Sequence, residues 1–132
     1  SPDYSLHPMA REIDVVLADA EHALCRGVGP MRFAEEEFYC KILFRAGDQR
    51  VRPILTATLP PERPEKQVIA WAVERADGGR AFACPGPHYH ASFQNEDLRR
   101  LALNAILWTA KIDVPSGGVQ SAVSPDDFRI AP

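Results

Sequence analysis

Residues Gly78 to Trp108 read GGRAFACPGPHYHASFQNEDLRRLALNAILW, and three kinds of structure follow one another in them. Asp77-Gly78-Gly79 is a short glycine turn of the kind that joins antiparallel strands, set between VIAWAVER (Val68 to Arg75) and RAFAC (Arg80 to Cys84). Cys84-Pro85-Gly86-Pro87-His88-Tyr89-His90 follows as a loop, its prolines fixing φ and stiffening the lead-in to two histidines. Asn95 then opens a helix, because its side chain can accept a free backbone N–H while Glu96 and Asp97 suit the positive helix end. Leu98, Leu101, Ala102, Ala105, Ile106 and Thr109 recur at i, i+3, i+4 spacing and carry the helix to about Lys111.

Upstream the pattern changes to strands. EIDVVLAD (Glu12 to Asp19) is a β-branched run, and EFYCKILF (Glu37 to Phe44) places Phe38, Cys40, Ile42 and Phe44 on one face at period two. Between them, two glycines and a proline within Gly27 to Pro30 demand a turn, so Glu21 to Pro30 reads as a loop. Gly47-Asp48 separates the second run from Val51 to Thr58, with which it predicts a hairpin. Pro53 cannot donate to a ladder and marks Val51 to Thr58 as an edge strand. Leu59 to Lys66 (LPPERPEK) reads as a solvated connection, and Ser124 to Phe128 as a last turn of helix.

Composition narrows the classes. The 132 residues are 45% apolar and 25% charged, which fits one folded domain spanning 1–132 rather than a disordered or collagen-like chain. A net charge of −3 with scattered Lys and Arg argues against nonspecific nucleic-acid binding. No apolar run approaches the roughly 20 residues a membrane span requires. The N-terminal residues carry no signal-peptide pattern, which leaves cytoplasmic and periplasmic locations equally open. Cys25, Cys40 and Cys84, odd in number and without CxxC spacing, predict free thiols rather than a disulfide framework or zinc ribbon.

The candidate chemistry gathers on the His88-Tyr89-His90 loop, between a predicted strand and a predicted helix, where sites of α/β proteins collect. His88 and His90 could serve as acid/base groups or as metal ligands, since imidazole titrates near neutrality. Equally, both could be ordinary loop residues, one bonded to backbone and one solvated. Cys84 is excluded as a nucleophile of the elbow type, because such elbows use the N–H of the following residue and Pro85 has none. Cys40 reads as a small core side chain. Glu35-Glu36-Glu37 reads as a solvated acidic face, with Glu37, directly before Phe38-Tyr39, the one candidate for a site. His7 and His22 lie in loop-like segments from which either could reach a cleft.

Taken in order, several blocks resemble the ThuA-like, or trehalose-utilisation, family. His7-Pro8 before Glu12 to Val15 is similar to its HP element leading into a strand, and His22-Ala23-Leu24-Cys25-Arg26-Gly27 to its H-P-[IL]-T-[RK]-G loop, departing at Ala23 and Cys25. Glu36-Glu37-Phe38-Tyr39 resembles D-E-x-Y, and Gly78 to Trp108 the G-R-x-[FV]…G-H…[DE]-x-x-[FL]-R-[RK]-L…N-[AG]-I-L-W ending.

The resemblance covers about Leu6 to Ser121 and corresponds to the later, C-terminal half of that family's domain. It implies an α/β, flavodoxin-like or class I glutamine amidotransferase-like three-layer fold, of which this chain supplies later strands in mixed or antiparallel hairpins plus the final helix. It further implies a carbohydrate site, for a disaccharide or keto-sugar, with His88, His90 and Glu37 as the chemical groups. His22, Tyr39, Tyr89 and Phe93 would contact substrate. His90 stands where amidotransferases carry a glutamate, so their reaction is not expected.

Two other readings stand beside this one: a noncatalytic binding or interaction module, and a zinc site held by His88, His90 and a carboxylate or His22. Zinc is the cofactor that this last reading implies, and the other readings imply none. The missing half of the family fold predicts exposed edges that a second copy or a partner chain would cover.

Overall fold

The computed structural model describes residues 9–129. Five strands form one sheet: β1 (Met9–Leu17), β2 (Met31–Glu37), β3 (Val51–Leu59), β4 (Glu65–Glu74) and β5 (Arg80–Ala83). They lie in the order β2-β1-β3-β4-β5, every neighbour antiparallel, and the sheet curls into a half-barrel. Among the described residues a single α-helix, α1 (Glu96–Thr109), packs on it, with three short 3-10 segments at Ala23–Cys25, His90–Gln94 and Pro125–Phe128.

This overturns the three-layer flavodoxin-like expectation. Parallel neighbours need crossovers of a dozen or more residues, usually helical. Here the β3–β4 and β4–β5 connections are a few residues each, and the longer β1–β2 link holds only a single 3-10 turn among its glycines and proline. The strand–loop–helix order from Arg80 to Thr109 is common to both architectures. Among the described residues no further helices alternate with the strands, and that decides between them.

Locally, the glycine hairpin is present: Trp71 to Glu74 pair with Ala83 to Arg80, and the Gly79 amide donates to Asp77 Oδ1 at 2.8 Å. The segment Phe38 to Phe44 is not a strand, although its alternation is real. Phe38 and Cys40 are buried, Phe44 meets Trp71 edge-on at 5.1 Å, and Leu43 on the opposite side is 94% exposed. Lys41 adopts a left-handed φ of 55°, and its amide donates to the buried Gln67 side chain at 2.9 Å instead of to a strand. Period two here records burial, not a ladder, and the hairpin predicted with Val51 to Thr58 does not form.

β3 is the central strand, not an edge. Pro53 is accommodated because β1 pairs only with Leu55 to Ala57, and because the β3–β4 register shifts between Pro53 and Leu55.

The α1 helix begins as read, Asn95 Oδ1 accepting from Leu98 N–H at 3.0 Å. It ends in a Schellman arrangement, with Lys111 left-handed (φ 61°), Ile112 N–H bonded to Leu107 O at 2.9 Å and Lys111 N–H to Trp108 O at 3.0 Å. Its buried face is Leu98, Leu101, Asn104, Ala105 and Trp108. Ile106, expected inward, is 63% exposed. Asn104 is fully buried, and its amide NH2 donates to Leu24 O and Arg26 O (2.9 and 3.0 Å) while its Oδ1 accepts from Val119 N–H (2.9 Å).

One irregularity shapes the site. In β1, Ala10 faces inward, and so do Ile13 and Val15, which breaks the alternation between them. In β2, Met31 and Phe33 face inward, and then Glu36. Glu12, at φ 54°, lies at the one position the β1–β2 ladder skips, and both strands exchange their inner and outer rows there.

Candidate functional site

That exchange turns Glu36 into the interior, where it is 0% exposed. Its Oε1 accepts from the backbone N–H of Glu37 (2.8 Å) and of His88 (2.7 Å), and its Oε2 accepts from the Ser92 hydroxyl. One buried carboxylate thus ties the end of β2 to the His88–Ser92 segment. Sequence reasoning placed Glu36 on a solvated face, and no period-two pattern could have found it, because the pattern inverts two residues earlier.

Glu37 and His88 are thereby held side by side. Glu37 Oε2 lies 3.0 Å from His88 Nδ1, with the carboxylate side chain 17% exposed and the imidazole 60% exposed. A carboxylate on Nδ1 fixes the tautomer that carries the proton there and leaves Nε2 as the outward nitrogen. Tyr89 meets the His88 ring edge-on at 5.1 Å, and its hydroxyl contacts Met9 Sδ at 3.8 Å. Desolvation, and then the carboxylates Glu35, Glu36 and Glu37, hold the Tyr89 phenol above its ordinary pKa.

Tyr89 also lines a cleft of about 570 Å³ between β2 and the following segment, together with Arg32, Glu35, Ser92 and Asn95. A second hollow of about 490 Å³ lies across β1, β3 and β4 beside Arg11, Glu12 and Lys66, and contains none of the candidate groups.

His90 is not brought to this site. It is the first residue of the 3-10 turn His90–Gln94, and its ring packs against Phe128 at 5.3 Å instead. His22 serves a different place: its Nδ1 accepts from Leu24 N–H at 3.2 Å, and its ring meets Trp108 edge-on at 5.2 Å. Burial first, with Arg52 and Arg80 adding to it, pushes the His22 pKa down against the opposing pull of Asp19 and Glu74. Tyr39 is half-exposed just past β2, and Phe93 packs behind the cleft against the core. His7 lies outside the described residues.

Among the described residues, no three His, Cys, Asp or Glu side chains group so as to hold a metal ion. His88 and His90 have different neighbours, Glu37 and Tyr89 for the one and Phe128 for the other. The three cysteines are free thiols. Cys84 donates its S–H to Gly86 O at 2.7 Å, and burial pushes its pKa up to about 12, which leaves it no thiolate near neutrality. No helix among the described residues is long and apolar enough to cross a membrane.

No protein-family model, curated protein or solved structure matches this chain.

Proposed function

We propose that this chain binds a small polyhydroxylated ligand of the carbohydrate class in the cleft between β2 and residues 89–95. The observation that carries the reading is Tyr89, whose half-exposed ring both walls the cleft and touches His88. An aromatic face receives the C–H side of a sugar ring, and the neighbouring hydroxyl, amide and carboxylate of Ser92, Asn95 and Glu35 match its hydroxyls. Arg32 at the same cleft is paired with Glu12 and Asp14, so the cleft favours a neutral polar ligand over an anion. This reading rests on the cleft and not on the flavodoxin-like fold.

The His88–Glu37 pair favours a second reading, in which the bound ligand also undergoes proton transfer at His88 Nε2. An amide-resolved NMR titration with a nonreducing disaccharide and its keto form tests both. Saturable shifts at Tyr89, Ser92 and Asn95, lost in Tyr89→Ala, support binding. Conversion of the keto form that disappears in His88→Ala supports chemistry, and no saturable shift at the cleft with either sugar overturns the carbohydrate reading.

A further inference from the structure

The opposite side of the same segment borders a smaller pocket of about 260 Å³, open to solvent on one side, between β5, the Cys84–Pro87 loop and α1. Phe82, Phe93, Leu98, Leu101 and Ala102 form its walls, with Cys84 and Pro87 completing them. The one polar hydrogen among those side chains, the Cys84 S–H, is engaged by Gly86 O. Water that enters finds few polar partners on these walls, and apolar hollows of smaller size accept benzene.

The cavity is also braced against collapse. A Cβ on Gly86 would come within 2.5 Å of the Phe38 ring, so the loop already rests directly on the core. His88 N–H is anchored on Glu36, and Arg99 Nη1 donates to Phe93 O at 2.7 Å. Loop and 3-10 turn are therefore fixed from outside the cavity, and α1 is fixed by its buried face. Walls that cannot close leave apolar contact surface that water meets poorly and an apolar ligand atom meets well.

We infer that this cavity is a binding site for a small uncharged aromatic or branched alkyl group, separate from the carbohydrate cleft. The volume is below the roughly 300 Å³ at which drug-sized pockets begin, which limits the occupant to about one ring with a short substituent.

Toluene and indole, titrated into the full chain with detection of 13C-labelled methyl groups, test the assignment. The expected result is saturable shifts of the Leu98, Leu101 and Ala102 methyls with one common midpoint, abolished in Ala102→Phe while its circular dichroism and melting stay those of a folded chain. Should that variant fail to fold, the wild-type midpoints decide alone. Shifts that rise linearly across all surface methyls overturn the inference. So does a midpoint unchanged in folded Ala102→Phe, and so do shifts of these methyls that follow protein concentration without ligand, which would give the cavity to a second copy.

Discussion

Replacing Glu36 separates an organising carboxylate from an incidental one. In Glu36→Ala the amides of Glu37 and His88 and the Ser92 hydroxyl lose their acceptor together. Each buried group left without a partner costs about 1–3 kcal/mol, offset in part by the carboxylate no longer held away from water, so the net loss is about 3–5 kcal/mol. Glu36→Gln keeps one oxygen for the two amides and lets its NH2 donate to Ser92 Oγ. Only the charge assistance goes, at about 1 kcal/mol. With a urea slope of about 1.5 kcal/mol/M, the unfolding midpoint falls by about 2–3 M for the alanine variant and by less than 1 M for glutamine. Hydrogen exchange at the His88 amide rises in the alanine variant alone. Equal midpoints for the two variants, or an alanine loss below about 1 kcal/mol, would refute the claim that Glu36 organises this segment.

Three further outcomes follow from neighbouring features. Asn104→Asp is nearly isosteric but presents an oxygen to Leu24 O and Arg26 O where an NH2 stood, and costs about 2–4 kcal/mol in urea unfolding. His22 has a folded-state pKa lowered from 6.5, so the unfolded chain takes up its proton more readily. The stability His22 contributes is therefore intact above pH 6.5 and lost as pH falls below it, and the midpoint difference between wild type and His22→Asn should shrink from pH 7.5 to pH 5. Lys111→Gly relieves a left-handed side-chain residue at the helix end and raises stability by about 0.5–1 kcal/mol, a rise of a few degrees in melting temperature.

What could be read from the residues was local. Asn95 announced its cap, Gly78-Gly79 its hairpin, and Phe38 and Cys40 their inward side, because each depends on neighbours within a turn or a strand. Strand order depends on partners far away in the chain. Pro53 looked like an edge marker because its tolerance comes from the early end of β1 and a register shift, neither of which is written near it. In the candidate site, Glu37, His88 and Tyr89 were legible as residue types and do meet. His90 and His22 were drawn in by type alone, and each packs elsewhere, against Phe128 and Trp108. Glu36 and Asn104 escaped because a polar residue in the interior is intelligible only once its donors and acceptors are known.

The left-handed Glu12 has a consequence for how this sheet tolerates change in length. Its step in β1 lies opposite Ala34, the pair the ladder omits. Removing Glu12 alone would slide Met9 to Arg11 by one place against Glu35 to Glu37. Removing Glu12 and Ala34 together would keep every remaining pair opposite its partner, yet would merge two half-strands of opposite parity into one of plain alternation. Ala10 and Glu36 would stay on the core side, because Ala10 would then stand two residues from Ile13, and Glu36 two from Phe33; it is flattening Glu12 into ordinary extended backbone at full length that would turn the carboxylate that now gathers His88 and Ser92 toward water. A single residue in an uncommon conformation thus acts as a phase marker: it sets which half of β1 and β2 counts as inside, and the site exists only in that phase.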